Sequence, residues 1–339
     1  MTAKRPLYTN GPSVSAIGMG TWATGGPCSA GEQPLGWGSS WTRAGAAAVL
    51  RAAFDAGINV FDTADAYGAG TAERLIGETL NTVRDQVAIV TKWGNIVDEP
   101  NRQLVGVDPS PSYVRAALEA SLTRLRTDRV DLYLLHLSGL PASQAEDLRG
   151  VLQELVAEGK IGAYGWSTDD PSLAATWIGQ PGFGAIEFEA NVVNDAPDLV
   201  TICDDHDLAG LVRGPLGTGL LGGGHPAGSQ ITDVDDFRFR SPDWLNYFDN
   251  GRPVDHYVRR LDAIRDVLTD NGRTLAQGAL CWLLARSPHL IPIPGARSVE
   301  QARDNAHALQ HGPLSPDELT EIRELLTGAR ASYHARGSD

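Results

Sequence analysis

Four polar residues stand where short apolar runs end. Asp62 and Tyr67 lie in Asp62-Thr63-Ala64-Asp65-Ala66-Tyr67-Gly68, Lys92 in Val90-Thr91-Lys92-Trp93-Gly94, and His136 directly after Tyr133-Leu134-Leu135. Taken singly, each has an ordinary structural use, since an Asp can cap a helix and a Lys can reach solvent. Together they can deliver a proton. A phenol has an ordinary pKa of about 10 and holds its proton at neutral pH, whereas an adjacent ammonium lowers that value. Lys92 is the ammonium that could act on Tyr67, and Asp62 is the counterion that a buried Lys92 needs. A neutral His136 can donate a hydrogen bond to a substrate oxygen while Tyr67 protonates that oxygen as a hydride reaches the carbon. The chemistry that uses all four is carbonyl reduction.

Such residues must be brought together by the elements that carry them. Short apolar runs at Ser13–Gly20, Asn59–Asp62, Val87–Lys92, Val130–His136, Ile161–Ser167, Ala185–Glu189, Leu208–Arg213 and Leu290–Pro294 read as strands. Between them lie amphipathic patterns at Arg43–Ala56, Thr71–Val83, Ser112–Arg126, Ser143–Glu158, Pro171–Ile178 and Pro197–His206, then a longer helical tract from Asp255 through Ala285 and a last helix pair. Ser112 reads as a cap, Pro171 as a helix-opening residue and Gly57 as a helix end. Eight strands each followed by a helix predict an α/β fold of the (β/α)8 TIM-barrel type, with an open doubly wound sheet as the alternative. The whole chain, 1–339, reads as one barrel domain with its core at about 13–310 and a C-terminal helix at about 315–329. The turn Tyr8-Thr9-Asn10-Gly11-Pro12 suggests an N-terminal β-hairpin that could close the barrel floor. The segment Gly222–Pro253, after the seventh strand, is long enough to be a functional loop, and a barrel keeps its site at that face.

Composition narrows the partners. The 339 residues are 42% hydrophobic and 21% charged, which suits a folded, soluble chain. With 28 Lys plus Arg against 42 Asp plus Glu, the formal charge of 28 − 42 = −14 argues against binding nucleic acid or an anionic membrane. Cys28, Cys203 and Cys281 are widely spaced, so no disulfide framework or zinc site is expected, and a reducing, cytoplasmic setting fits. No signal peptide or membrane-spanning run is evident. Nothing in the sequence indicates an oligomeric state.

On these residues the chain resembles the aldo-keto reductase family, whose catalytic Asp, Tyr, Lys and His match Asp62, Tyr67, Lys92 and His136 in order and context. The resemblance runs from about Ser13 to Asn305. It is carried by Asp62–Gly68, Thr91–Gly94, Leu134–His136, Gly165–Ser167, Pro215–Leu221 and Ile293–Asn305. It implies a barrel that binds NADP(H), with neither a metal nor a Rossmann domain, and a small-molecule carbonyl or alcohol as substrate.

The resemblance also implies a cofactor path. Gly20-Thr21-Trp22 would touch the cofactor beside Asp62, and Ser167 with Thr168 stand where the family has a Ser-Asn pair for the nicotinamide carboxamide. Glu187 replaces the Gln of that clamp, either accepting from the carboxamide or pairing with Arg213, which stands where an aromatic often stacks on the nicotinamide. Gly214, Pro215, Leu216, Thr218 and Gly219 resemble the pyrophosphate loop, although the Lys often found after it is Gly224 here. Gly295, Arg297, Ser298, Gln301 and Asn305 match the loop and helix start that hold the adenosine 2′-phosphate, with Gln301 in place of an Arg found in some branches.

For the substrate, the expected contacts are Trp22, Trp93, Tyr67 and His136, whereas Trp166, Trp177 and Trp282 read as core. Arg238 and Arg240 could meet an anionic substrate or pair locally. Two other outcomes are compatible with the same residues: a nucleotide-binding sensing or regulatory subunit with little turnover, and an enone reductase acting on keto-sugars.

Overall fold

The computed structural model describes residues 3–37, 40–226 and 228–336. Eight parallel strands pair in chain order: Met19–Gly20, Val60–Asp62, Ala88–Trp93, Val130–Leu135, Ile161–Ser167, Phe183–Glu189, Ala209–Arg213 and Leu290–Pro292. The first and eighth meet where Gly20 bridges Gly295 in parallel and the Gly18 N–H donates to the Pro292 carbonyl at 2.8 Å. The sheet is therefore a closed (β/α)8 barrel rather than an open one. Closure requires glycine at position 20, because a Cβ there would lie 2.6 Å from the Ile293 carbonyl oxygen.

The stretch expected as one strand, Ser13–Gly20, is two. Ser13–Ser15 pairs antiparallel with Lys4–Pro6, and only Met19–Gly20 enters the barrel. The turn between the hairpin strands has Asn10 at φ 64° and a Gly11 N–H donating to the Tyr8 carbonyl at 2.7 Å. Leu7 and Val14 of this hairpin pack with Val60, Val90, Leu132 and Leu211 inside the barrel, so the hairpin does form its floor.

Strand alternation sorts the side chains into two layers. In the third strand Ala88 and Val90 face the barrel interior, whereas Ile89 and Trp93 face the helices. Lys92 continues the interior row. In the sixth strand Ala185 is interior and Ile186 and Phe188 are exterior, so Glu187 also belongs to the inner row.

The helices follow the expected pattern with some differences, among them that the α-helix from Thr71 ends at Leu80 and the one from Pro171 at Ala174, each continued by a 3-10 turn. The third helix is Pro111–Leu125, and its cap is Ser110, which accepts from the Tyr113 N–H, rather than Ser112. Pro111 at the first helical position makes the earlier residue the better cap. The tract from Asp255 splits into Asp255–Thr269 and Leu275–Arg286, because Asn271 (φ 56°) and Gly272 (φ 74°) take left-handed conformations between them. The C-terminal helix, Pro316–Arg336, is longer than expected. Gly57 (φ 95°) follows the first helix, and Pro171 opens its helix behind an Asp170 cap, as expected.

Unforeseen was a small sheet of Cys28–Ala30, Gln33–Leu35, Asn95–Asp98 and Gln103–Val107, built from the segments after the first and third barrel strands. The long segment after the seventh strand contains a short helix, Phe237–Arg240, and a two-residue ladder, Phe248–Asp249 with Arg252–Pro253. No helix among the described residues is long and apolar enough to cross a membrane.

A buried ionic network braces the strand of Lys92 against the helix that follows Tyr67. Arg124 donates to Glu73 at 2.6 Å and to Glu99 at 2.9 Å, and the Thr91 hydroxyl donates to the other Glu73 oxygen at 2.5 Å. Glu73 is fully buried, so it depends on Arg124 for charge compensation. Removing one partner of such a pair costs about 3–5 kcal/mol. Arg124→Ala should therefore lower the urea midpoint clearly at an unchanged slope, and a midpoint equal to wild type would show that the network contributes nothing.

Candidate active site

Asp62, Lys92 and Glu187 converge at the C-terminal ends of the second, third and sixth barrel strands. Lys92 Nζ lies 2.6 and 2.7 Å from the two Asp62 oxygens, 3.0 Å from the Thr63 carbonyl and 3.2 Å from the Tyr67 hydroxyl. Its fifth polar neighbour is Glu187 Oε2, at 3.2 Å. Both Lys92 and Glu187 are buried, and the Ser167 hydroxyl donates to Glu187 Oε1 at 3.2 Å. The partner of Glu187 is thus Lys92 and not Arg213.

Tyr67 is placed by an unusual turn. Gly68 (φ 60°) packs so closely on the segment after the first strand that a Cβ would sit 1.9 Å from the Gly25 carbonyl oxygen. That contact explains why a glycine follows the tyrosine. The Tyr67 ring meets the His136 ring edge-to-face at 5.8 Å, and Lys92 Nζ lies 4.9 Å from the Tyr67 ring centroid. The backbone N–H of His136 donates to the Trp93 carbonyl at 2.8 Å, and its Nδ1 is buried without a hydrogen-bond partner. The four residues named from sequence therefore meet in one place.

The electrostatics differ in one respect from the expectation. Burial alone would lower the Lys92 pKa, but Asp62, Glu187 and Tyr67 hold it above the ordinary lysine value, so the ammonium persists. Burial raises Tyr67 above the ordinary phenol value. Lys92 opposes that shift, as expected, but Asp62 and Glu187 reinforce it, so the phenol holds its proton more firmly rather than less. Asp62 is raised well above the carboxylate range by burial and by Glu187, against the pull of Lys92. His136 is pushed down to about 3 by burial and by the cations Lys92 and Arg213, which leaves it neutral.

The remaining residues assigned from sequence lie along one side of the barrel mouth. The Thr21 N–H and hydroxyl both donate to the Asp62 carbonyl, at 2.9 and 2.8 Å. The Thr168 hydroxyl donates to the Ser138 carbonyl at 2.8 Å, so it is already engaged. Arg213 bridges Glu189, at 2.9 Å, and Asp169. The segment Gly214-Pro215-Leu216-Gly217-Thr218-Gly219 takes positive φ at Gly214, Gly217, Thr218 and Gly219, and the Thr218 hydroxyl is buried without a partner. Ser298 caps the helix Val299–His311, accepting from the Gln301 N–H at 3.2 Å, while Gln301 accepts from the Arg297 N–H at 2.7 Å. Asn305 donates to the Gly295 carbonyl at 3.3 Å. Arg297, Ser298 and Gln301 line a cavity of about 280 Å³ together with Trp37, Ser40 and Thr42, the last being the cap of the helix Arg43–Asp55.

At the mouth the aromatic expectations divide. Trp22 packs against Phe237 at 4.7 Å, Trp37 at 5.4 Å and Trp244 at 5.8 Å, so the long seventh-strand segment reaches across to the first strand. Trp93 corrects the expectation: strand alternation turns it away from Lys92 into the helix layer, where it is wholly buried with its ring 6.0 Å from Tyr133. Trp166, Trp177 and Trp282 are core. Arg238 is buried against Asp236, with its guanidinium 4.9 Å from the Trp37 ring centroid, and Arg240 donates to the Val234 carbonyl, so both serve locally. Sequence reading missed Phe237, the Thr63 carbonyl and the Lys92–Glu187 contact. The contact was implicit in the shared inward parity of the two strands.

This barrel and this cluster have known counterparts. The profile of the Aldo/keto reductase family matches residues 16–327, and the chain belongs to that family. A relative in Escherichia coli, named as an NADH-specific methylglyoxal reductase, is 28% identical over 340 residues, covering 95% of this chain and 98% of its own. Among solved structures, an aldo-keto reductase from Klebsiella pneumoniae in complex with NADPH is 27% identical with a TM-score of 0.66, covering 96% of each chain. A glycerol dehydrogenase from Gluconobacter oxydans is 25% identical with a TM-score of 0.77, covering 94% of this chain and 93% of that one.

The low pKa of His136 has a direct consequence. Nitrogen NMR of the ligand-free protein should find its imidazole neutral from pH 8 down to pH 5, and a protonation midpoint above pH 5 would contradict the site's electrostatics.

Proposed function

We propose that this protein is an NADP(H)-dependent oxidoreductase that moves a hydride between nicotinamide and the carbon of an aldehyde, ketone or keto-sugar, with Tyr67 as the general acid. The observation that carries the reading is the 3.2 Å contact between the Tyr67 hydroxyl and a Lys92 ammonium that Asp62 clamps through both oxygens. In the reductive direction Tyr67 gives its proton to the substrate oxygen, and Lys92 stabilises the phenolate that remains. Neutral His136, beside the Tyr67 ring, orients the same oxygen by hydrogen bonding. In the oxidative direction the phenolate takes the alcohol proton.

The residues along the mouth fit the cofactor. Gly214, Gly217 and Gly219 let backbone N–H groups approach a pyrophosphate, and the buried, unpartnered Thr218 hydroxyl is a polar atom that a ligand can satisfy. Arg297 and Ser298, at a helix start beside a cavity, suit a 2′-phosphate and favour NADP(H) over NAD(H). The NADPH complex of the Klebsiella relative supports that preference, while the name of the E. coli relative points the other way. When bound, the nicotinamide donates or accepts the hydride. Trp22 and Trp244, packed on the buried Phe237, offer an apolar surface at the barrel mouth for the substrate. Cys28, Cys203 and Cys281 are buried and free, which fits a cytoplasmic setting.

The test is consumption of NADPH, followed by absorbance, against a panel of aldehydes, ketones and keto-sugars, with NADH in parallel. Wild type should turn over with NADPH preferred. Tyr67→Phe should bind NADPH normally and lose about 10²–10⁴-fold in turnover, the range typical of a positioned acid. Turnover of Tyr67→Phe within a few fold of wild type would remove Tyr67 from the role of acid.

A further inference from the structure

Glu187 gives the site a second carboxyl that the proton-transfer scheme above does not use. It lies 3.2 Å from Lys92 Nζ, the same ammonium that both Asp62 oxygens contact at 2.6 and 2.7 Å. Both carboxyls are buried, and Lys92 is the one cation touching them among the described residues. The other charged and polar groups facing the pair are Tyr67, neutral His136, the Ser167 hydroxyl and Arg213, whose guanidinium is bound to Glu189 and Asp169. Two buried carboxyl groups held against one ammonium repel each other unless a proton lies between them, and one ammonium compensates only one negative charge.

We propose that Asp62 and Glu187 hold one proton between them before cofactor binds and release it when the bound cofactor is oxidised, so that Glu187 couples the charge of the site to the redox state of the cofactor. The inference rests on the oxidoreductase reading. A hydride donor must face the carbon whose oxygen Tyr67 protonates, and Tyr67 is joined to the pair through Lys92, so the pair lies near the positive charge of the oxidised ring.

The balance closes in the reductive direction. The hydride and its two electrons pass from the reduced cofactor to carbon, and the Tyr67 O–H bond breaks as its proton passes to the substrate oxygen. The phenolate takes a proton from Lys92, and Lys92 takes the proton of the pair. The site ends with two carboxylates, one ammonium and a neutral phenol. It has gained one negative charge as the cofactor ring gained one positive charge. Water supplies the proton back after cofactor exchange, and oxidation of an alcohol runs the same steps in reverse.

Calorimetric titration of the full-length protein with NADP+ and with NADPH, each in two buffers of different ionisation enthalpy at neutral pH, counts the protons. The difference between the two forms is the readout, because protons lost from the cofactor's own phosphate cancel. Wild type should release most of one proton more on binding NADP+ than on binding NADPH. Its preference for NADP+ over NADPH should also strengthen with rising pH, by up to about tenfold per unit. In Glu187→Gln, folded by circular dichroism, both the excess proton and the pH dependence should vanish. An excess that persists in Glu187→Gln overturns the proposal. Should that variant not fold, wild type alone decides, since equal proton counts for the two cofactor forms overturn it as well. Failure of both cofactors to bind would instead remove the oxidoreductase reading on which it rests.

Discussion

The constraint on which the site depends is a single ammonium with no access to water. Lys92 Nζ sits inside the barrel, where an isolated charge would be prohibitively costly, and it is tolerated because Asp62, Glu187 and the Thr63 carbonyl surround it. The second, third and sixth strands are held at the register that brings these groups together, and strand parity aims their side chains inward. Tyr67 is placed against what remains of the ammonium by a turn that only glycine can make at position 68. The external braces serve the same end. The Arg124–Glu73 pair ties Thr91, next to Lys92, to the helix that follows the Tyr67 turn.

That arrangement concentrates negative charge beneath the phenol. Burial, reinforced by the two carboxyls and opposed by the one ammonium, holds Tyr67 above its ordinary pKa, so the phenol keeps its proton. His136 is held neutral by the same burial. The mouth above is organised separately: the buried Arg238–Asp236 pair fixes the short helix carrying Phe237, and Phe237 with Trp244 reaches Trp22 across the opening. The charged cluster and the aromatic contacts at the mouth are thus built on different parts of the barrel, the first on strands and the second on loops.

Much of this was legible in the residues. Eight apolar runs with intervening helical periods announced the barrel, and polar residues at the ends of the second, third and fourth runs announced the site, because both signals are local. The N-terminal hairpin was legible from Asn10-Gly11 for the same reason. What escaped depended on pairing across the fold. The extra sheet joins segments more than sixty residues apart, which no local period encodes. The orientation of Trp93 follows from alternation along its strand, but its position beside Lys92 suggested the pocket. The Lys92–Glu187 contact needed both the parity of two strands and their separation around the barrel, and the sign of the Tyr67 shift needed the depth of its burial.

The measurement that bears most directly on the central role of the buried ammonium is the single-turnover rate of hydride transfer in Lys92→Met, with NADPH bound beforehand and a good carbonyl substrate added. If Lys92 sustains proton delivery through Tyr67, the variant binds NADPH within about tenfold of wild type while the transfer rate falls by about 10²-fold or more. A transfer rate within a few fold of wild type would contradict the account, because the charge around which the site is built would then be dispensable to its chemistry.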